Sequence, residues 1–187
     1  MRRYFTNFNG YSGALLISQD RVLLFTDFRY IQQAEAQASD HAKLIEHKGG
    51  LLNEAVYQEL RLIDGRVGVE GTLDLSTYNY FNREITNFQT DVIDASIMSI
   101  RKIKDPTEIA NIREGIRLYD LAFEYILGFI KPGMSELEIG LELEYHMKKN
   151  GAEAIKANHV IASGERSSLP HGAASKRIVN KGEFIRK

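Results

Sequence analysis

The chain has 187 residues, 43% hydrophobic and 26% charged, a globular balance with enough apolar material for one or two cored domains. A formal net charge of -1 gives no electrostatic footprint for nucleic acid or an acidic membrane surface. Cysteine is absent, which excludes disulfides, thiol catalysis and cysteine-ligated zinc and fits a cytoplasmic protein. Met1-Arg2-Arg3 is not followed by the apolar core of a signal peptide, and Ala14-Leu15-Leu16-Ile17 is far too short to span a bilayer.

In chain order, Ala14 to Ile17 and Val22 to Phe25 are apolar runs joined by Ser18-Gln19-Asp20-Arg21, which predicts a β-hairpin. Tyr30 to Ala38 carries Ile31, Ala34 and Ala38 at helical spacing. Lys43 to Glu46 reads as a short strand. Leu51 to Ile63 places Leu52, Ala55, Val56, Leu60 and Ile63 on one helical face, and Asp64-Gly65 ends it. Val67 to Glu70 is a strand, Ser76 is a candidate cap for a helix running to about Ile85, and Asp91 to Ile93 is a further strand. Strands alternating with helices predict an α/β domain with parallel pairings and one antiparallel hairpin.

A second part begins after a boundary near Ile100 to Lys104. Asp105 is a good N-cap, Pro106 suits the first helical position, and Glu108 can reach back to the free backbone amide of the cap. Ile109, Ile112, Ile116, Tyr119, Phe123, Ile126 and Ile130 then predict the apolar face of a long helix. Lys131-Pro132-Gly133 stops it. Ser135 and Glu138 make a second capping box, opening a helix with Ile139, Leu143 and Met147 inward and Lys148-Lys149-Asn150-Gly151 at its end. Val160-Ile161 reads as a short strand, a loop containing His171 follows, and Glu183-Phe184-Ile185 begins another strand.

That loop, Ile161 to Gly172, is the most informative stretch. An imidazole ordinarily titrates near neutral pH and can both give and accept a proton, so His171 is a candidate acid-base group; a solvated loop histidine is the alternative. Ser163, Ser167 and Ser168 lie close by, but no Gly-x-Ser-x-Gly elbow is present and they read as loop-shaping. His146, four residues after Glu142, reads as part of a surface helix face, and no His-Glu-x-x-His motif accompanies it. Asp27 and Arg29 read as a structural ion pair or dimer contact at a strand-to-helix turn. His41 and His47 read as surface residues. Gly49-Gly50 and the Val67 to Gly71 run lack the spacing of a dinucleotide loop.

Taken in order, these segments resemble the Xaa-Pro aminopeptidase and Xaa-Pro dipeptidase (prolidase) family of metallopeptidases. Arg3 to Phe8 with Ser12 to Leu16, Phe25 to Tyr30 (with its Thr26-Asp27 and Arg29-Tyr30), and Val69-Glu70 resemble segments of its N-terminal domain. Arg101 to Asp105 with Glu108-Ile109, Lys131 to Glu136, Asn150 to Glu153, Val160 to Gly164, Leu169 to Gly172 and Lys181 to Glu183 resemble its catalytic domain. The resemblance implies an α/β, creatinase-type N-terminal domain over residues 1–102, with a mixed sheet and flanking helices. An incomplete α+β pita-bread peptidase domain is implied over residues 103–187.

The same resemblance makes His171 the one catalytic-site residue carried by this sequence, contacting substrate or intermediate rather than metal. It also implies a two-metal site, loaded with manganese, cobalt or zinc in the intact family. Its ligands are two aspartates, a histidine and two glutamates, all beyond the strand that Gly182-Glu183 opens. The first aspartate aligns one position past Lys187. The chain is therefore expected to be truncated at both ends, to bind no metal by itself and to be inactive alone. Arg186-Lys187 departs from the apolar pattern of that strand. His159 stands where threonine is frequent and Ala157 where a pocket-lining phenylalanine is common, which leaves specificity open. Xaa-Pro peptides are the substrates implied for an intact relative. The other readings are a non-catalytic dimerisation or interaction module, and a metal-free creatinase-like hydrolase. Helices left without their sheet predict a homodimer, larger oligomers or poor solubility.

Overall fold

The computed structural model describes residues 1–38, 40–48, 52–85, 88–155 and 160–186. The chain forms two compact units, Met1–Arg101 and Lys102–Lys187.

In the first unit the element order is α1 (Arg2–Thr6), β1 (Ala14–Ile17), β2 (Val22–Asp27), α2 (Ile31–Gln37), β3 (Ala42–His47), α3 (Leu52–Leu60), β4 (Gly65–Val69), α4 (Leu75–Glu84), β5 (Phe88–Val92) and α5 (Asp94–Lys102). The hairpin is as expected: β1 and β2 run antiparallel with Ala14 opposite Phe25 and Ile17 opposite Val22. β2 pairs parallel with β3, and β4 parallel with β5, so α2 and α4 lie in the crossover connections that parallel pairs require. Strand β2 is buried on both faces. Leu23 and Phe25 join Val56 and Leu60 of α3 and Phe81 of α4, whereas Leu24 joins Phe8 and Ala34 of α2. The near-continuous apolar run Val22-Leu23-Leu24-Phe25 is what burial on both faces demands.

Phe8 is fully buried beneath the loop that leads into β1. A Cβ on Gly10 would fall 2.1 Å from the Phe8 ring, so only glycine fits there. Arg2 lies over the same ring, its Cζ 5.1 Å from the centroid, and donates to the carbonyls of Gly10 and Gly13.

Three expectations for this unit need correction. The cap of α4 is Asp74, which accepts from the Thr77 amide at 2.9 Å; Ser76 instead donates its hydroxyl to the Asp74 carboxylate. A carboxylate answers both the free amide and the helix dipole, and the helix starts at Leu75. Helices α1 and α5 escaped sequence reading: α1 is five residues long with no side-chain cap, and α5 buries only Ile97. His47 is not a surface residue. It sits in β3 two positions after Ile45, on the same face, and is 5% exposed; among the described residues neither ring nitrogen has a hydrogen-bond partner.

The second unit contains α6 (Pro106–Phe129), α7 (Glu136–Lys149) and a two-stranded antiparallel pair, β6 (Ala162–Ser163) with β7 (Ile185–Arg186). Both capping boxes form as expected. The Asp105 and Ser135 side chains accept from the amides of Glu108 and Glu138, whose carboxylates return to the cap amides. Helix α6 stops at Ile130, whose backbone is extended, and Gly133 then turns the chain with φ 95, a conformation that suits glycine.

Of the expected apolar face of α6, Ile126 is buried and Ile130 packs against the core, whereas its earlier residues are not buried. Ala122 and Ile126 pack with Ile139 and Leu143 of α7 together with Ile161 and Val179, and Leu118 is buried as well. Ile112 and Ile116 are 50% and 55% exposed, and Ile109, Tyr119 and Phe123 are exposed with them. Ala122, fully buried, allows the helices a close approach that a larger side chain would prevent. The larger apolar residues dominated the sequence pattern, and the small one that sets the contact did not.

Ile126 and Ile139 are both essentially inaccessible within this cluster. Ile126→Ala is expected to destabilise the second unit by about 2–5 kcal/mol, against under about 0.5 kcal/mol for Ile112→Ala. Urea unfolding followed by circular dichroism measures both.

Candidate active site

The segment carrying His171 begins at β6 and continues as a short 3-10 helix over Gly164–Ser168. A tight turn follows, closed by the Gly172 amide donating to the Leu169 carbonyl at 3.2 Å. Pro170 and His171 are its central residues, and proline at the first central position pre-sets the backbone for such a turn. Gly172 is buried against β6: a Cβ there would come within 2.8 Å of the Ala162 Cβ. Ala173 then bridges to Val160 in antiparallel fashion. The expected strand at Val160-Ile161 is therefore this isolated bridge followed by β6. His171 is exposed at the apex, and among the described residues its imidazole has no hydrogen-bond partner.

Beneath the turn lies a polar network that sequence reasoning did not assign. Glu136, the first residue of α7, is fully buried. Its Oε1 accepts from the Ser163 amide at 2.7 Å and the Ser163 hydroxyl at 2.9 Å. Its Oε2 accepts from the Ser175 amide at 3.1 Å and the Ser175 hydroxyl at 2.6 Å. The Arg166 guanidinium approaches the same Oε2 at 3.3 Å as an ion pair and donates to the Ala173 carbonyl at 2.7 Å. Burial favours protonation of Glu136, but the Ser175 and Ser163 hydrogen bonds and the Arg166 charge outweigh it and hold the carboxyl below its ordinary range. The α7 dipole adds in the same direction.

The Ser163 hydroxyl also accepts from Arg177 Nη1 at 2.6 Å. Arg177 grips Glu183 with both terminal nitrogens, at 2.8 and 2.5 Å, and the Asn180 amide donates to Glu183 at 2.9 Å. Arg177 first, then Asn180, holds the Glu183 carboxyl down to about 2. Glu183 therefore does not start the strand, as the sequence suggested; its side chain closes the Arg177 turn and β7 begins at Ile185. The only signal for this network in the sequence is an acidic residue after the Ser135 cap, and nothing local connects it to serines far along the chain.

The other candidates have partners of their own or stand exposed. Asp27 accepts from Nε and Nη2 of Arg29, at 2.8 and 2.9 Å, and its carboxyl is held well below the usual carboxylate range, chiefly by those bonds. His146 does not pair with Glu142. Its ring stacks on Tyr125 at 3.9 Å, and Glu142 accepts from the Tyr125 hydroxyl at 2.6 Å. His41 is exposed. Gly49, Gly50, Ala157, His159 and Lys187 lie outside the described residues. Among the described residues no three His, Asp or Glu side chains converge as a metal site would require, so those present do not fit a two-metal centre. No described helix is long and apolar enough to cross a membrane.

Residues 1–103 match the creatinase/prolidase N-terminal domain, and residues 110–186 match metallopeptidase family M24. The chain belongs to the creatinase/prolidase family of M24 metallopeptidases. It is 35% identical to the uncharacterized peptidase YqhT of Bacillus subtilis over 98% of this chain and 52% of that protein. It is 32% identical to a Xaa-Pro dipeptidase of Pyrococcus furiosus over 92% of this chain and 48% of that one. A solved Xaa-Pro dipeptidase from Bacillus anthracis superposes with TM-score 0.85 and 39% identity, covering 98% of this chain and 52% of that structure. An X-Pro aminopeptidase from Thermotoga maritima superposes with TM-score 0.87 and 33% identity. The chain thus spans about half the length of the curated relatives it matches. The α/β first unit and the partial M24 unit agree with the fold implied by the sequence resemblance.

The Glu183 carboxyl is depressed on folding, from an ordinary 4.5 to about 2, so its stabilising contribution is present above 4.5 and lost as pH falls toward 2. The Tm difference between the wild type and Glu183→Gln should be greatest near neutral pH and close across that window. A pH-independent difference in differential scanning calorimetry would count against the Arg177–Glu183 pair as its source.

Proposed function

We propose that this chain supplies one wall of a Xaa-Pro peptidase site, with His171 touching the substrate or the tetrahedral intermediate and moving a proton. The observation that carries the reading is the Leu169–Gly172 turn, which holds an exposed imidazole on the frame of β6 within the M24-matched residues. The Xaa-Pro peptidase names of the relatives support the substrate class. The family chemistry of two divalent ions, manganese, cobalt or zinc, polarises the peptide carbonyl and lowers the pKa of a bound water. On this reading the metal-ligating groups belong to the part of the family fold that the chain does not span. Residues 1–102 serve as the creatinase-type N-terminal domain and 103–187 as part of the peptidase domain of a cytoplasmic enzyme. Alone, the chain is inactive.

Residues 1–187 incubated with an Xaa-Pro dipeptide and manganese or cobalt should therefore give no EDTA-sensitive turnover. A chimera extending them with the unmatched remainder of the Bacillus subtilis relative should turn over, and His171→Ala should lower its kcat by about 10²–10⁴-fold. Turnover by the chain alone, a silent chimera, or an unaffected His171→Ala variant would each contradict the reading.

A second reading is favoured by the exposed apolar stripe of Ile109, Ile112 and Ile116 on α6: a non-catalytic module that self-associates. Sedimentation velocity across a concentration series should show association that Ile112→Lys with Ile116→Lys abolishes. A monomer throughout would remove this reading.

A further inference from the structure

The loop that carries His171 leaves the body of the second unit at Ser163 and returns at Ser175, and both feet end on one side chain. Each oxygen of the Glu136 carboxylate takes the amide and the hydroxyl of one foot: Oε1 those of Ser163, Oε2 those of Ser175. A carboxylate offers about four acceptor sites, and all are divided evenly between the two ends of the loop. From within the loop, Arg166 adds its charge at 3.3 Å and ties itself to the Ala173 carbonyl at 2.7 Å. At the apex the imidazole has no partner of its own among the described residues, so its place is set by the loop backbone.

Stability alone is a weak reason for such an arrangement. A buried charged cluster can often be replaced by well-packed apolar residues of similar volume with no loss of stability. The carboxylate gives what an apolar side chain cannot, directional bonds that fix the distance between the two feet, in addition to the Val160–Ala173 bridge and the Arg177–Ser163 bond. Its own position is rigid too. Glu136 sits in the first turn of α7, where its amide donates to the Arg177 carbonyl at 2.9 Å and the Leu137 amide donates to the Ser175 carbonyl at 2.8 Å.

We propose that Glu136 is a positioning residue for His171: its carboxylate staples Ser163 to Ser175 and thereby fixes where the Leu169–Gly172 turn presents the imidazole. The functional meaning rests on the reading of His171 as substrate-facing; the staple itself does not.

Glu136→Gln tests it in the 187-residue chain. An amide has one acceptor oxygen and can serve one foot, leaving the backbone N–H of the other facing an NH₂ group. Hydrogen exchange at residues 163–175 should rise about tenfold or more, while residues 139–147 of α7 stay protected. The His171 imidazole Cε1–H signal, followed by NMR with His171→Ala as its assignment control, should shift or broaden. A folded Glu136→Gln chain with unchanged exchange at both feet and an unmoved His171 signal would overturn the staple. If Glu136→Gln unfolds the whole unit, Ser175→Ala decides: a smaller local rise in exchange with a moved His171 signal supports it, and an unmoved signal overturns it. These readouts are independent of turnover, so an unaffected His171→Ala chimera would remove the functional reading while exchange and NMR still decide the staple.

Discussion

A carboxylate taken out of water costs several kcal/mol unless hydrogen bonds and a countercharge replace its hydration. Glu136 is fully buried, and meeting that demand organises the second unit. Two serines, two backbone amides and Arg166 converge on it from segments far apart in sequence. Ser163 passes the connection to Arg177, and Arg177 to Glu183 just ahead of β7. The start of α7, the strand pair and the His171 loop are thereby held by one continuous set of charged and polar contacts. The apolar cluster of Ala122, Ile126, Ile139 and Leu143 supplies bulk stability beside it and takes in Ile161 and Ala174 at the two ends of the loop, without the directionality of the hydrogen bonds.

The first unit is governed by a different constraint. Strand β2 has no solvent face, so both sides must be covered, by α3 and α4 on one side and by Phe8 and α2 on the other. Phe8 can serve only because Gly10 has no side chain and Arg2 spans the ring to reach two carbonyls. A five-residue helix with no side-chain cap is thus held by Arg2, by buried Thr6, whose hydroxyl donates to the Arg2 carbonyl at 2.9 Å, and by the Met1 amino group paired with Glu70 at 2.9 Å. This explains how α1 persists although it is far below the length at which isolated helices are stable.

Local chemistry was legible in the sequence and long-range chemistry was not. The hairpin, both capping boxes, the stop at Lys131-Pro132-Gly133 and the inward face of α7 all follow from residues within a few positions of one another. The buried face of α6 does not. Its buried contact includes Ala122 beside Ile126, and an alanine gives little apolar signal until α7 is known to lie against it. His47 was misplaced because a single histidine after Glu46 looks solvent-facing until its alternation with Ile45 is fixed by pairing with β2. His171 could be found because its loop resembles a known family. Glu136 gives no such signal, since its partners Ser163 and Ser175 become neighbours only in the fold.

The close approach of Gly172 to Ala162 couples two positions that are remote in sequence. With 2.8 Å between the Ala162 methyl and a Cβ at residue 172, the pair has room for one methyl group in total. Variation at either site is therefore conditional on the other, and a side chain larger than alanine at residue 162 would press on the turn from below. Side-chain size is therefore free at the exposed apex of the turn and tightly limited at its base. Leu169 presses on the same position from the other side, its Cβ 3.2 Å from where a Cβ at residue 172 would lie, so the base of the turn is fixed from two directions.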